Sequence, residues 1–239
     1  MTDKTRGIVL QQIRYGENSR IIHMYTEHFG RLVFMVKGMG KKSKLQRALF
    51  QPLSLLDLEI SYKSVRNLQI IKDAHASVPL MNIHLQIHKT SIALFLSEVL
   101  SKTLTEEESN PRLFSFLYNS ILQLNNNNEL TVIFHLLFLA RLTQYLGFPP
   151  VNRFSETKRY FDLREGIFTS SHPSHPDFMD REDSEFFSSL LDPGTNSHGS
   201  LRIPLDKKDF LEKILQYYQI HLQGIGKINS LNILHEVFH

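Results

Sequence analysis

The chain has 239 residues, 41% hydrophobic and 21% charged, which suits one large domain or two small ones and excludes wholesale disorder. It has no cysteine, so disulfides, thiolate zinc sites, iron–sulfur clusters and cysteine nucleophiles are all excluded. The net charge is +3. No apolar run reaches the roughly 18 residues of a membrane span, and no apolar block of signal-peptide length follows Met1, so a cytoplasmic protein is expected.

That modest charge is unevenly placed. Residues 1–75 carry 13 Lys/Arg against 6 Asp/Glu, and the remaining 164 carry 14 against 18. From His28 to Leu56 there are six basic residues and no acidic one. An asymmetry of this kind points to two modules, the first of which meets a polyanion.

Taken in order, the first third reads as strands. Residues 7–13 are β-rich and end at the turn-forming Tyr15-Gly16-Glu17-Asn18-Ser19. Residues 20–26 follow, then the break Glu27-His28-Phe29-Gly30, then 31–37, in which Leu32, Phe34 and Val36 share one face. Residues 53–62 and 68–74 supply two more strands. Five short antiparallel strands with a long middle loop fit a small closed OB-type barrel, with an SH3-like barrel nearly as good a match from pattern alone.

After Pro79 the apolar period changes from two to 3.6. Ile83, Ile87, Ile92, Phe95, Leu96 and Val99 mark a helix running to Leu104. Pro111 opens another, with Leu113, Phe116, Leu117 and Ile121. Residues 129–146 are apolar almost all round, as a central buried helix requires, and stop at Gly147 before Pro149-Pro150. Residues 169–180 and 192–200 read as loops, 204–222 as an amphipathic helix and 230–238 as a terminal helix. The acidic start at Asp180 reads as a helix N-terminus. The expected architecture is α+β, with an OB-fold barrel at 1–79 followed by an all-helical domain at 80–239.

The strongest chemical signal is Lys37-Gly38-Met39-Gly40-Lys41-Lys42-Ser43-Lys44, with Arg47 close behind. Lysines so crowded repel one another unless an anion stands near, and phosphates meet that need while releasing counterions. A solubilising, edge-protecting cluster is the bland alternative. Tyr15, Tyr25, Phe29 and Phe34 offer rings for base stacking, although most are expected in the core. Arg14, Arg20, Arg31 and Arg66 extend the basic track. The expected nucleic-acid contacts are Lys37, Lys41, Lys42, Lys44, Arg47, Arg31, Arg14 and Arg66.

Other motifs are weak. The Gly-x-Gly of the lysine loop lacks the spacing of a Walker A or dinucleotide loop. His84 and His88 are spaced i, i+4 on an expected helix, a metal-capable arrangement, but Leu85 and Gln86 follow His84 where a zincin needs Glu. His172 and His175 flank Pro173 with Asp177 near. Scattered histidines of this kind are usually ordinary polar residues. Neither a G-x-S-x-G nor a recognisable Ser/His/Asp context occurs. No metal, cofactor or catalytic residue is expected, and the chain reads as a non-enzyme.

Gly7-Ile8-Val9-Leu10, Tyr15-Gly16-Glu17-Asn18-Ser19, Met24-Tyr25-Thr26-Glu27-His28-Phe29-Gly30-Arg31, Val36-Lys37-Gly38 and Leu49-Phe50-Gln51-Pro52-Leu53 together resemble the opening of the bacterial RecO family. Tyr145-Leu146-Gly147-Phe148, Tyr160-Phe161-Asp162-Leu163, Gly166-Ile167-Phe168 and the close at 224–234 are similar in kind. No single motif decides; their order and spacing do. The resemblance implies an OB-fold and a helical domain, binding of single- and double-stranded DNA, strand annealing without ATP, and loading of recombinase in the RecF pathway. The partners it implies are RecR and the acidic tail of single-stranded DNA-binding protein (SSB), and it implies no active site. Many relatives carry a four-cysteine zinc knuckle after the segment matching 146–154, and here those ligands are gone. Packing by Tyr160, Phe161 and Phe168 is expected instead. Some relatives carry arginines where this chain has His135-Leu136-Leu137, which leaves Arg141 as the candidate anchor for the SSB tail. A sequence-nonspecific RNA-binding OB protein is the alternative that the barrel pattern alone leaves open.

Overall fold

The computed structural model describes residues 2–38, 44–128, 131–192, 194, 204 and 206–238, with 44–46 given by backbone alone. The chain forms two compact units. One comprises Met1–Asn126 with Ile228–His239, and the other Asn127–Lys227. The first unit is therefore discontinuous in sequence, and the second is inserted into it.

In the first unit β1 (Asp3–Tyr15), β2 (Ser19–Thr26), β3 (Gly30–Lys37), β4 (Leu55–Ser61) and β5 (Ile70–Ala76) form one antiparallel sheet in the order β3-β2-β1-β4-β5. Alternation puts Ile22 and Met24 of β2, Leu32 and Phe34 of β3, and Leu56, Leu58 and Ile60 of β4 into a common core with Val9 and Phe50. Each such side chain removed from water contributes roughly 1.5–3 kcal/mol. Edge strands β3 and β5 are joined by a single parallel bridge from Phe34 to Gln69. There the Gln69 N–H donates to Val33 O (2.8 Å) and the Met35 N–H to Gln69 O (3.4 Å). Beyond it no β3–β5 ladder is formed among the described residues, and closure of the expected barrel is not seen. Further along, β5 diverges and a groove opens.

A short helix, α1 (Lys44–Leu49), leads into Phe50 and the turn before β4. Leu53 in that turn takes a left-handed φ of 61°. Its N–H donates to Val9 O (2.8 Å) and the Val9 N–H to Ser54 O (3.0 Å), where Leu10 makes a bulge in β1. The expected helix 83–104 is two helices, α2 (Met81–Leu85) and α3 (Ile87–Thr103), with Gln86 extended between them. Asn125, in the last turn of α4 (Pro111–Asn126), causes the break: its Oδ1 accepts from the N–H groups of Asn82 and Ile83 (3.1 and 3.3 Å), fixing α2 apart from α3.

Helix α3 also holds both places where the chain leaves and re-enters this unit. Fully buried Lys89 donates to Asn125 O (2.9 Å), placing a cation at the C-terminal end of α4. Glu98 accepts from Asn229 N, Ser230 N and Ser230 Oγ (2.9, 2.8 and 2.6 Å), placing an anion at the N-terminus of α8 (Leu231–Phe238). Each charge complements the dipole of the helix end it meets.

The inserted unit contains α5 (Phe134–Leu142), β6 (Tyr160–Asp162), β7 (Ile167–Thr169), β8 (Phe178–Met179), α6 (Arg181–Leu191) and α7 (Lys207–His221). Helix α5 is buried nearly all round, as its composition demands. Asp180 caps α6, its side chain accepting from Asp183 N. The region is not all-helical: β6, β7 and β8 pair in the order β7-β6-β8. Strands of two or three residues are too short to show a period, and β8 also lies within the stretch rich in Ser, His and Pro. Phe161 packs on Phe168, Phe187 and Tyr217 at ring separations of 4.9, 4.8 and 5.5 Å, and this aromatic cluster holds the small sheet.

Candidate nucleic-acid interface

Where β5 diverges from β3, a groove of about 660 Å³ lies between the two strand edges and α1. Val36, Phe50, Ile70 and Ile71 give it an apolar floor, and Lys37, Lys72 and Asp73 stand at its rim. Gln69, 2% exposed, pins its closed end. Its Nε2 donates to Lys63 O (2.9 Å) and Arg66 O (2.7 Å), and its Oε1 accepts from Lys63 N (2.9 Å). Such a cleft offers flat apolar surface to a base and positive charge to the backbone that carries it.

The structure places the expected contacts unequally. Lys37 ends β3, exposed, on the groove; Arg14 and Arg66 are exposed. Arg47 is half-buried on α1. Lys41 and Lys42 lie outside the described residues, and Lys44 is described only as the first residue of α1. Lys72 of β5, absent from the expected set, joins Lys37 at the groove because a bulge in the β4–β5 ladder falls at that residue. Nothing local in the sequence marks it. Of the four rings considered for stacking, Tyr25 and Phe34 are core, Phe29 is packed against Tyr62 (4.5 Å), and Tyr15 is 54% exposed.

Arg31 has a different setting. Its guanidinium donates to Ser101 O and to Leu104 O (2.7 Å), at the C-terminal end of α3, and to His23 Nδ1 (3.3 Å). Burial lowers its pKa from the usual arginine value. Burial and the charge of Arg31 together hold His23 below the ordinary imidazole value, consistent with an Nδ1 that accepts. Close by, Arg6 makes a two-pronged ion pair with Glu27 (2.8 and 2.6 Å) and lies over the rings of Phe114 and Tyr118. Gly30 has φ +61°, and a Cβ there would sit 2.4 Å from Glu108 O. The run from Thr26 to Arg31 thus joins the sheet to α3 and α4.

The comparisons with known proteins follow the same order along the chain. Residues 1–78 match the model described as Recombination protein O N terminal, and residues 84–231 the one described as Recombination protein O C terminal. The DNA repair protein RecO of Azobacteroides pseudotrichonymphae is 38% identical over 240 residues, covering all of both chains. Those of Flavobacterium johnsoniae and Phocaeicola vulgatus are each 33% identical, again over the whole of both chains. The chain belongs to the RecO family. It is a DNA repair and recombination protein, and its family is one of non-enzymatic recombination mediators.

The region where the family resemblance implies a zinc knuckle offers no zinc ligand set among the described residues. Cysteine is absent, and among the described residues no three His, Asp or Glu side chains converge. Other contacts stand there instead. His175 Nε2 lies 3.2 Å from Asp162 Oδ2, while Asp162 Oδ1 accepts from Arg164 N and Glu165 N. Arg164 pairs with Asp177, which also accepts from Gln216 (2.6 Å). His172 packs on Phe178 (4.3 Å). The other expected metal-capable pair is separated by the break at Gln86: His84 is on α2, and His88 is on α3 with its ring 5.3 Å from that of Phe238. Arg141 is half-buried on α5, with Nη2 donating to Asp192 O (3.2 Å), and burial lowers its pKa. Among the described residues no helix is long and apolar enough to cross a membrane.

Proposed function

We infer that this protein is a mediator and annealing factor of the RecF pathway, working in the bacterial cytoplasm, and that the groove between β3 and β5 holds unpaired DNA. The observation that carries the reading is an apolar cleft rimmed by Lys37 and Lys72, neither of which has an ion-pair partner among the described residues, in a RecO-family chain. The sheet is the open form of an OB barrel, with the bridge at Phe34 and Gln69 as its seam. Bases rest on the apolar floor, and phosphates are neutralised by Lys37, Lys72 and the lysines of the loop that follows β3, without sequence being read. Neutralising two complementary strands lowers their mutual repulsion, so annealing needs no ATP. Duplex DNA binds through the same cations. RecR and the acidic tail of SSB are its protein partners, with Arg141 the anchor for the tail, and recombinase is loaded on the strand so delivered.

Annealing of complementary oligonucleotides, each coated with SSB, tests this directly. The expected result is acceleration without ATP, lost when the SSB tail is removed and reduced by the double substitution Lys37→Gln, Lys72→Gln. Acceleration untouched by the double substitution would move the DNA off the groove. No acceleration by the wild-type protein would remove the mediator reading.

A further inference from the structure

β1 and β2 run on past the core as a hairpin whose β2 side stays paired with β3. Its last rungs pair Ile13 with Ile21, Arg14 with Arg20 and Tyr15 with Ser19. On β3, the partners of Arg20 and Ser19 are Val36 and Lys37. Cross-strand partners share a face and stand about 5 Å apart at Cβ. Arg14 and Arg20 are therefore neighbours, on the face that carries the buried Ile22 and Phe34 two residues back along the strands. Like charges placed directly opposite destabilise a hairpin.

Among the described residues little offsets this repulsion. Arg14 Nε donates to Gly16 O (3.3 Å) and Arg20 Nη1 to Ser19 O (2.9 Å), one neutral carbonyl each. Among the described residues no carboxylate pairs with either, and Glu17, in the connecting turn, does not reach them. Each guanidinium keeps donors available in a planar fork that matches phosphate oxygens. The next residue along β3 from the rung is Lys37, and Val36, level with Arg20, already lines the groove.

We propose that Arg14 and Arg20 form a clamp for a backbone phosphodiester of the bound strand, continuous with the groove at Val36 and Lys37. It rests on the DNA reading above and extends it: the strand leaves the groove over the hairpin, and the paired arginines hold the phosphate at that exit. The repulsion in the free protein is relieved only when the polyanion arrives, so the rung favours binding over the stability of the unbound fold.

The test combines two measurements on full-length Arg14→Gln, Arg20→Gln and the double variant, with Lys37→Gln, Lys72→Gln as the groove control. In a titration of a labelled single-stranded oligonucleotide, each hairpin substitution should flatten the slope of log affinity against log salt by about 0.7, and the double by about twice that. In thermal unfolding without DNA, the same variants should have a Tm equal to or above that of wild type. A lowered Tm would make the pair a structural element and overturn the clamp. A wild-type slope in the hairpin variants, with the groove control weakened, would overturn the clamp and leave the groove standing. Wild-type protein that does not bind the oligonucleotide would remove both. A rise in Tm with inorganic phosphate that Arg14→Gln abolishes, with DNA affinity unchanged, would assign the pair to free phosphate and likewise overturn it.

Discussion

Arg6 and Arg31 lie on the same sheet as Arg14, Arg20, Lys37 and Lys72, but in opposite surroundings. Arg6 has a carboxylate and two aromatic rings, and Arg31 has two carbonyls at a helix end and an imidazole. The other four have no ion-pair partner among the described residues. These six cations of the sheet are therefore two populations. One holds the sheet to α3 and α4, and the other faces outward at the groove and hairpin. A count of basic residues cannot separate them, whereas substitution can, because only the first population should move stability and only the second DNA affinity.

The largest effect is expected at the joined region. Gly30→Ala places a side chain in a left-handed conformation against the backbone of Glu106 and Glu108, where strain and backbone displacement should cost about 2 kcal/mol or more. Chemical denaturation should show it as a lowered midpoint with an unchanged slope. An unchanged midpoint would mean that this contact does not hold the sheet to the helices.

Next comes Arg31→Met, which leaves the carbonyls of Ser101 and Leu104 without their charged donor. A loss of about 2 kcal/mol is expected, with the salt dependence of DNA binding unaltered. This variant also carries a pH signature. The folded-state pKa of His23 is depressed below its ordinary 6.5, chiefly by burial and then by Arg31. Its contribution to stability is therefore complete above that value and is lost as pH falls through the lower folded value. Wild-type protein should lose stability on going from about pH 7.5 to about pH 5.5, and Arg31→Met should lose less over the same interval. Equal losses would separate His23 from Arg31. Glu27 adds a second acid-labile contact, since its bonds from Arg6 hold its carboxyl below the ordinary 4.5.

Stability should respond least to Lys37→Gln and Lys72→Gln. Both residues are exposed without ion pairs among the described residues, so each should stay within about 0.5 kcal/mol of wild type, while the salt slope of single-strand binding flattens by about 0.7 per residue. A stability loss comparable to that of Arg31→Met would erase the distinction between the two regions.

Much of the fold was legible because it rests on local rules. Alternation from Ile8 to Val36 marks the first three strands, Asp180 before Arg181-Glu182-Asp183 marks a helix start, and the period of Phe210, Ile214 and Tyr218 marks α7. The order of short motifs, rather than any one of them, was enough to identify the RecO family. The sequence alone also determined that no cysteine ligand is available anywhere in the chain. Three features needed the tertiary structure. Strands β6, β7 and β8 are too short to carry a period, and an aromatic cluster drawn from α6 and α7 sustains them. Arg31 looks like any surface cation until Ser101 and Leu104, some 70 residues on, arrive to accept from it. Lys72 meets Lys37, and Arg14 meets Arg20, only through strand pairing and a bulge. Periodicity reports which face of an element is buried, because burial repeats along the chain. It cannot report which charged side chains meet, because that depends on contacts between elements whose register and bulges are settled only when the sheet and its helices assemble.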